Sequence, residues 1–243
     1  MNSKKRVTRK ELLKKQDEFI TISRRVVQYV QSDTRMVYSV AIALACVLAL
    51  GGVIYVYFRQ QHNEAVAWER EALEVYYQQI PPENKSASDA RYKAAVDKLN
   101  RLIEEHGGSS QAQRAELYLA DSYYQLKKYA EAEQAYQEYL DKYNPKDVFR
   151  YLALSSQGQI AEAQGRYSQA VDYYQQAAQG ASVLQQAQAK LDIGRCYEKL
   201  AKPGQAKQAY QEAVKMLPDK PMYRSLADQL KASLNSLEPV ASQ

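Results

Sequence analysis

The 243-residue chain carries a formal net charge of +5, and this charge is concentrated at one end. Residues 1–36 contain ten basic and four acidic residues, whereas the remainder contains 23 basic and 24 acidic residues. The remainder therefore lacks the net positive charge that nucleic-acid binding requires. The two cysteines, Cys46 and Cys196, lie in an apolar run and in a distant helical pattern, so the sequence predicts no disulfide within the chain.

The basic tail, 1–36, contains a predicted helix over 8–32. Thr8 and Glu11 have the spacing of a capping box, in which each side chain satisfies a backbone donor at the helix start. Apolar pairs then recur every seven residues and are flanked by Lys and Arg. Two roles fit such a helix. The first is binding to anionic lipid or to a partner, and the second is that of a solvated segment that only orients the chain.

Residues 37–58 form the longest apolar run, with no charge, Asn, Gln, Pro or His over 22 residues. A helix of this length reaches roughly 33 Å, about the thickness of a membrane's hydrocarbon core. A secretory signal would have a shorter apolar core nearer the N-terminus. The sequence therefore predicts a transmembrane helix over 37–58. In a bacterial host, the basic tail predicts a single-pass inner-membrane protein with a cytoplasmic N-terminus and a periplasmic C-terminal region.

Small residues recur every fourth position inside the predicted span, at Ala41, Ala45 and Ala49. This spacing permits close contact between helices in lipid, so these alanines are candidate packing residues.

The predicted helix continues over 61–80, until Pro81 and Pro82 end it. We expect a loop up to residue 88.

A repeated pattern occupies the rest of the chain. A small residue is followed four positions later by Tyr in three segments, at Ala132/Tyr136, Ala170/Tyr174 and Ala206/Tyr210. The alanines are 38 and 36 residues apart, close to the 34-residue unit of a helix-turn-helix repeat. One such unit cannot bury its own apolar face, so several must stack.

This pattern resembles the tetratricopeptide repeat. The third unit matches best, with Gly194, Tyr197, Ala206, Tyr210 and Ala213 at the expected positions. A degenerate unit precedes the three clear ones, and residues 222–236 are a predicted terminal capping helix. The expected fold is therefore all-α, an N-terminal transmembrane helix followed by a tetratricopeptide-repeat solenoid over 59–236, with a flexible C-terminus over 237–243.

The order of a basic tail, one span and a short repeat array is similar to that of YfgM-type proteins, ancillary subunits of the bacterial SecYEG translocon. This resemblance implies contact with SecYEG, periplasmic chaperones or client polypeptides. Two other hypotheses remain open: an envelope assembly factor for cell-wall, pilus or outer-membrane machinery, and a self-assembling structural membrane protein. If the host is a eukaryote, an organelle-anchored receptor is a further alternative, and the assignment of the two sides of the membrane would then be reversed.

The sequence predicts no catalytic site, metal site or cofactor. The two histidines, His62 and His106, lie in separate segments and outside any metal-ligand spacing, and no phosphate-binding loop or nucleophile motif is present. The protein is therefore expected to bind rather than to catalyse.

The tetratricopeptide resemblance implies a concave groove formed by the first helix of each unit. The implied partner-binding residues are Leu117, Asp121, Tyr124, Gln125, Ser155, Gln159, Glu162, Leu191, Arg195, Glu198 and Lys199. Leu117 and Asp121 stand where carboxylate-gripping members of the family have Lys and Asn, so that binding mode is disfavoured.

Overall fold

A computed structural model describes Thr21, Arg24 and residues 34–144 and 146–237, and all secondary structure within these residues is helical. The chain divides into two compact units, Met1–Gln61 and His62–Gln243. Most of the predicted tail helix over 8–32, and all of 237–243 except Leu237, lie outside the described residues.

The described part of the chain contains nine α-helices and one 3₁₀ turn. In chain order they are α1 (Thr34–Tyr76), α2 (Lys85–Glu105), α3 (Ser110–Gln125), α4 (Tyr129–Lys142), α5 (Arg150–Ala163), α6 (Tyr167–Ala178), α7 (Val183–Lys199), α8 (Pro203–Met216), the 3₁₀ turn Pro221–Tyr223 and α9 (Arg224–Ser236).

The first unit contains the apolar part of α1. This segment is long and apolar enough to cross a membrane, and none of its most apolar window is buried within the protein. Large apolar side chains along it are exposed on all sides, which is the pattern expected of a helix surrounded by lipid.

The predicted loop over 81–88 is too long. Helix α2 begins at Lys85, because the Asn84 side chain accepts a hydrogen bond from the backbone N–H of Ala87 at 3.1 Å and caps the helix. The preceding helix ends at Tyr76 rather than near residue 80.

The second unit consists of helix pairs, as the repeat pattern predicts. The pairs α3/α4, α5/α6 and α7/α8 each turn through one residue with a left-handed backbone, at Lys127 (φ 58°), Gly165 (φ 74°) and Ala201 (φ 54°). These residues stand five positions before the small residue of each second helix. The same turn therefore recurs in each repeat, although only one of the three residues is glycine.

Close contact between a small residue and a tyrosine holds the helices of a pair together. A Cβ atom placed on Gly158 would lie 2.6 Å from the Tyr174 ring, and one placed on Gly194 would lie closer still to the Tyr210 ring. Both tyrosines are fully buried. The glycines are therefore needed for the approach of α5 to α6 and of α7 to α8.

The two ends of the array are closed by helices outside the three clear repeats. At the start, Ala65 and Ala72 of α1 pack on Leu99 of α2, in a cluster that also includes Ala115 of α3. At the end, Leu230 of α9 joins the core of the last repeat. These contacts cover the apolar faces that a stack of repeats would otherwise leave exposed.

Candidate partner-binding groove

The first helices of the repeats lie next to each other. Helix α3 contacts α5, and α5 contacts α7, across successive repeats. We call the face formed by residues 62–77, α3, α5 and α7 the groove. Two of the clefts on this face contain predicted site residues.

The first, here called the tyrosine cleft, has a volume of about 270 Å³. Its lining is mainly aromatic and aliphatic, and comprises Tyr76, Tyr77, Arg114, Leu117, Tyr118, Asp121, Tyr136, Phe149, Leu152 and Ser156. Two of these side chains are well exposed, Tyr77 at 61% and Leu152 at 49%. The cleft therefore offers accessible apolar surface on a helical scaffold.

Tyrosine contacts organise the wall of this cleft. The rings of Tyr76 and Tyr118 meet edge to face with centroids 5.0 Å apart, and the hydroxyls of Tyr77 and Tyr118 are 3.1 Å apart. The Tyr76 hydroxyl donates a hydrogen bond to the carboxylate of Asp121. Burial, together with this hydrogen bond, raises the pKa of Tyr76, and burial raises the pKa of Tyr118 to about 12. Both hydroxyls therefore stay protonated donors at neutral pH.

The cation in the tyrosine cleft already has a partner. Arg114 donates from Nε and from one terminal nitrogen to the two carboxylate oxygens of Glu69, each at 2.6 Å. This two-pronged geometry is the strongest kind of Arg–carboxylate pair. It joins α1 to α3 and neutralises the guanidinium.

The second cleft, here called the polar cleft, has a volume of about 370 Å³ and lies further along the groove. It brings together five of the predicted site residues from three helices: Tyr124, Gln159, Glu162, Arg195 and Lys199. Ala163 and Tyr167 complete its lining.

Two of the predicted acidic residues also have a structural role. Glu162 accepts a hydrogen bond from the buried Tyr174 hydroxyl, and Glu198 accepts one from the buried Tyr210 hydroxyl. Each pair links the first and second helices of one repeat, twelve residues apart. These acids satisfy hydroxyls that would otherwise be buried without a partner.

A network of charges connects α5 to α7 beside the polar cleft. Arg195 lies 3.2 Å from the carboxylate of Glu162 and 2.9 Å from that of Asp192. Asp192 is only 6% exposed, and burial raises its pKa to about 6 against the opposing effect of Arg195. Sequence reasoning did not single out Asp192.

The other predicted groove residues are distributed between the core and the surface. Leu117 and Leu191 are 5% and 1% exposed and belong to the cores of the first and third repeats, and Ser155 is 7% exposed. The side chains of Leu191 and Ser155 are covered in this structure, whereas Leu117 contributes to the floor of the tyrosine cleft. Gln125 is exposed beside Asp121.

The predicted packing residues of the span, Ala41, Ala45 and Ala49, are exposed along α1. Their packing role stays a prediction.

The groove also contains residues that the sequence analysis did not assign to it. These are Glu69, Tyr76, Tyr77, Arg114, Tyr118, Phe149 and Leu152. A signal for the α1 residues was present, because Ala65 and Ala72 are seven apart, as are Ala187 and Gly194 of the best repeat. Extending the repeat register into α1 on this basis places Tyr76 and Tyr77 on the groove.

Among the described residues, no group of three or more His, Cys, Asp or Glu side chains is arranged to hold a metal ion.

Comparison with known proteins identifies the fold. A family model described as a tetratricopeptide repeat-like domain matches residues 36–238. No curated protein matches the chain.

Several solved structures are similar in fold but distant in sequence. BtubC from P. vanneervenii is 14% identical, with a TM-score of 0.54 over 74% of this chain and 82% of that one. The RS-1 MamA ArsTM double mutant is 14% identical, with a TM-score of 0.50 over 71% of this chain and 93% of that one. The Yersinia enterocolitica type III secretion translocator chaperone SycD is 19% identical, with a TM-score of 0.47 over 58% of this chain and 96% of that one. Since one family model matches residues 36–238, well over half of the chain, the chain belongs to the tetratricopeptide repeat-like domain family.

Proposed function

We propose that the protein is a membrane-anchored interaction scaffold that binds partner polypeptides in its groove. The observation that carries this proposal is the pair of clefts on the first helices, where exposed aromatic, aliphatic and charged side chains converge. Rigid helices that present such side chains on one face are suited to hold an extended segment of another protein.

The membrane anchor is residues 37–58 of α1. Their length, their composition and their exposed apolar side chains support insertion into a bilayer. The basic tail supports a cytoplasmic N-terminus and a repeat domain on the far, periplasmic side of a bacterial inner membrane.

The most specific form of the proposal is an ancillary translocon subunit or chaperone-like adaptor. In this role the repeats would contact a SecYEG-type translocon, periplasmic chaperones or client polypeptides. The order of basic tail, apolar helix and repeat domain supports it. An envelope assembly factor and a self-assembling structural protein are the alternatives, and they differ by partner rather than by fold.

Site-specific photocrosslinking in intact membranes tests the groove and separates these roles. A photoreactive residue at Tyr124 or Gln159 lies in the polar cleft without removing the Glu162–Tyr174 hydrogen bond. A matched control at Gln175, which is exposed on the second helix α6, reports background.

We expect crosslinks to translocon subunits or periplasmic chaperones from the two groove positions and not from Gln175. Cell-wall, pilus or outer-membrane components without translocon would support the assembly factor, and self-crosslinks alone would support the structural protein. Equal crosslinking from all three positions would contradict binding in the groove.

Cysteine labelling tests the anchor and its orientation. In a chain with Cys46→Ala, a membrane-impermeant maleimide added to intact spheroplasts should label Glu83→Cys and leave Ser3→Cys unlabelled until the membrane is opened. Labelling of both positions from outside, or release of the protein by alkaline extraction, would contradict the proposed topology.

A further inference from the structure

The tyrosine cleft has spare negative charge and no spare positive charge. Arg114 is neutralised by its bidentate pair with Glu69. Asp121 accepts the Tyr76 hydroxyl at one oxygen, and its contacts with Gln125 are 3.5 Å, at the long limit for a hydrogen bond. Since a carboxylate has about four acceptor sites, Asp121 can still receive a donor from a guest.

The surroundings of Asp121 are rich in aromatic rings. Tyr76, Tyr77, Tyr118 and Phe149 all line the same cleft. The face of an aromatic ring attracts a cation within roughly 6 Å of its centroid, and more strongly where water is partly excluded. Rings beside a carboxylate therefore favour a cationic group over a neutral or anionic one.

The size of the cleft fits one side chain. Its volume of about 270 Å³ is below the roughly 300–1,000 Å³ typical of a pocket for a drug-sized molecule. The half-exposed Leu152 offers apolar surface for the methylene stem of a long side chain. Arginine and lysine combine such a stem with a cationic end.

We propose that the tyrosine cleft binds an arginine or lysine side chain of an extended partner segment, with Asp121 as its counter-ion. This inference rests on the proposed function, because it assumes that a polypeptide lies in the groove. An acidic side chain would meet Asp121 and an arginine that is already paired. A purely apolar side chain would exclude water from the carboxylate of Asp121 without supplying a hydrogen-bond donor in its place.

The other charges of the two clefts are largely paired within the protein. The linings contain two acids, Asp121 and Glu162, and three bases, Arg114, Arg195 and Lys199. Two of the three bases, Arg114 and Arg195, are held by the carboxylates of Glu69, Glu162 and Asp192. Within the tyrosine cleft, Asp121 is therefore the charged group left for a partner, and electrostatic complementarity there favours a positively charged side chain.

A peptide experiment on the full chain in detergent micelles tests this inference. An array of nonapeptides of varied sequence is screened, and the strongest binder is remade with citrulline, a neutral isostere, in place of each arginine, or with norleucine in place of each lysine. Both peptides are titrated by fluorescence anisotropy against the wild type, Asp121→Asn and Tyr76→Phe. Asp172→Asn, an exposed carboxylate on α6, is the control for general charge.

We expect basic residues to be enriched among binders. Replacing the basic residue of the peptide with its neutral analogue should weaken binding to the wild type by about tenfold. The same replacement should change binding to Asp121→Asn little, because in that variant the charge pair is already absent. The amide oxygen in Asp121→Asn can still accept the Tyr76 hydroxyl, so this variant should fold. Tyr76→Phe should bind the basic peptide at least as tightly, because it releases an acceptor site on Asp121.

Two results would overturn the inference in distinguishable ways. Binders without basic residues, or equal effects of the neutral peptide on the wild type and Asp121→Asn, would remove the cation site and leave groove binding intact. Absence of any peptide binding above the background of a Gly/Ser peptide would remove both the cation site and the proposed function.

Discussion

Gly194 and Tyr210 form the tightest side-chain approach among the described glycines. The ring of Tyr210 is fully buried and has no room to move away from a new Cβ atom on Gly194, which would overlap it. The same arrangement occurs at Gly158 and Tyr174, whereas the first repeat has Ala120 at this position in the core cluster of Tyr136.

We therefore expect Gly194→Ala to destabilise the repeat domain. Overpacking a filled core costs about 1–3 kcal/mol, and this exceeds the helix propensity that alanine adds. Urea unfolding of the full chain in detergent micelles, followed by circular dichroism, measures the loss. Gly204→Ala is the matched control, because nothing lies within 4 Å of its new Cβ atom. Equal stability of the two variants would contradict the role given to the Gly194–Tyr210 contact.

Asp192 contributes a pH dependence of unusual sign. Burial raises its pKa from 3.8 to about 6, whereas most paired carboxylates have lowered pKa values. The groups that oppose or add to this effect are Arg195 and Gln188 on its own helix and Glu162 on α5. Between pH 3.8 and about 6 the folded state binds more protons at Asp192 than the unfolded state does. The stabilising contribution of Asp192 is therefore present below about pH 4 and is lost as the pH rises through about 6.

The variant Asp192→Asn isolates this effect. We expect the unfolding free energy of the wild type, relative to Asp192→Asn, to fall by roughly 2–3 kcal/mol between about pH 4 and pH 7. Urea unfolding at a series of pH values checks it. A relative stability that is constant, or that rises with pH, would show that Asp192 is ionised with an ordinary or lowered pKa in the folded protein.

Helix caps explain where several elements begin. At α7, the Ser182 hydroxyl accepts from the backbone of Gln185 while the Gln185 side chain accepts from the backbone of Ser182, which completes a capping box. By contrast, α8 begins at Pro203 with no side-chain cap. Side-chain caps are thus present at α2, α3 and α7 and absent at α4, α5, α6 and α8.

Loss of this cap should weaken α7. We expect Ser182→Ala to lower the unfolding free energy by about 1 kcal/mol, because the backbone donor of Gln185 loses its acceptor and the capping box is broken. Lys202→Ala, at the equivalent position before α8, should change stability by less than about 0.5 kcal/mol. Denaturant unfolding of both variants gives the comparison, and a larger effect at Lys202 would contradict the capping role of Ser182.

A comparison of predicted and observed helices shows which of them the local sequence pattern predicts. The spacing of small residues and tyrosines predicted the helix pairs, and the family match to a tetratricopeptide repeat-like domain confirms them. The predicted loop over 81–88 was wrong because the polar residues after Asn84 resembled a loop, although Asn84 itself is a good helix cap. The repeat register continues into α1, but the second helix of this unit, α2, lacks the tyrosine that follows the small residue by four positions in the other units. The groove residues of α1 were therefore not predicted.

On the scale of the whole molecule, the repeat domain is a stack in which each helix pair contacts its neighbours. The stability of such a stack is a sum of local terms, so damage at one end does not spread evenly. Helix α9 closes the stack through Leu226 and Leu230.

We expect Leu230→Ala to loosen the C-terminal end first. Removing this buried side chain costs about 2–5 kcal/mol where the cavity cannot collapse. Hydrogen exchange with mass spectrometry should show that Leu230→Ala accelerates exchange, relative to the wild type, more in α8 and α9 than in α3 and α4. The exposed Gln229→Ala is the control, and uniform acceleration along the chain would contradict the stack-like behaviour.

The sequence by itself determined the features that depend on neighbours along the chain. An uninterrupted apolar run specifies a helix long enough for a membrane, and recurrent small and aromatic residues specify helix pairs that must stack. Only the tertiary structure decided which groove residues are accessible. Tyr76 meets Asp121 and Glu69 meets Arg114 across 45 residues of sequence, whereas Leu191 turns into the core. Exposure on a groove is set by how successive repeats stack, and that stacking depends on contacts between residues far apart in the chain.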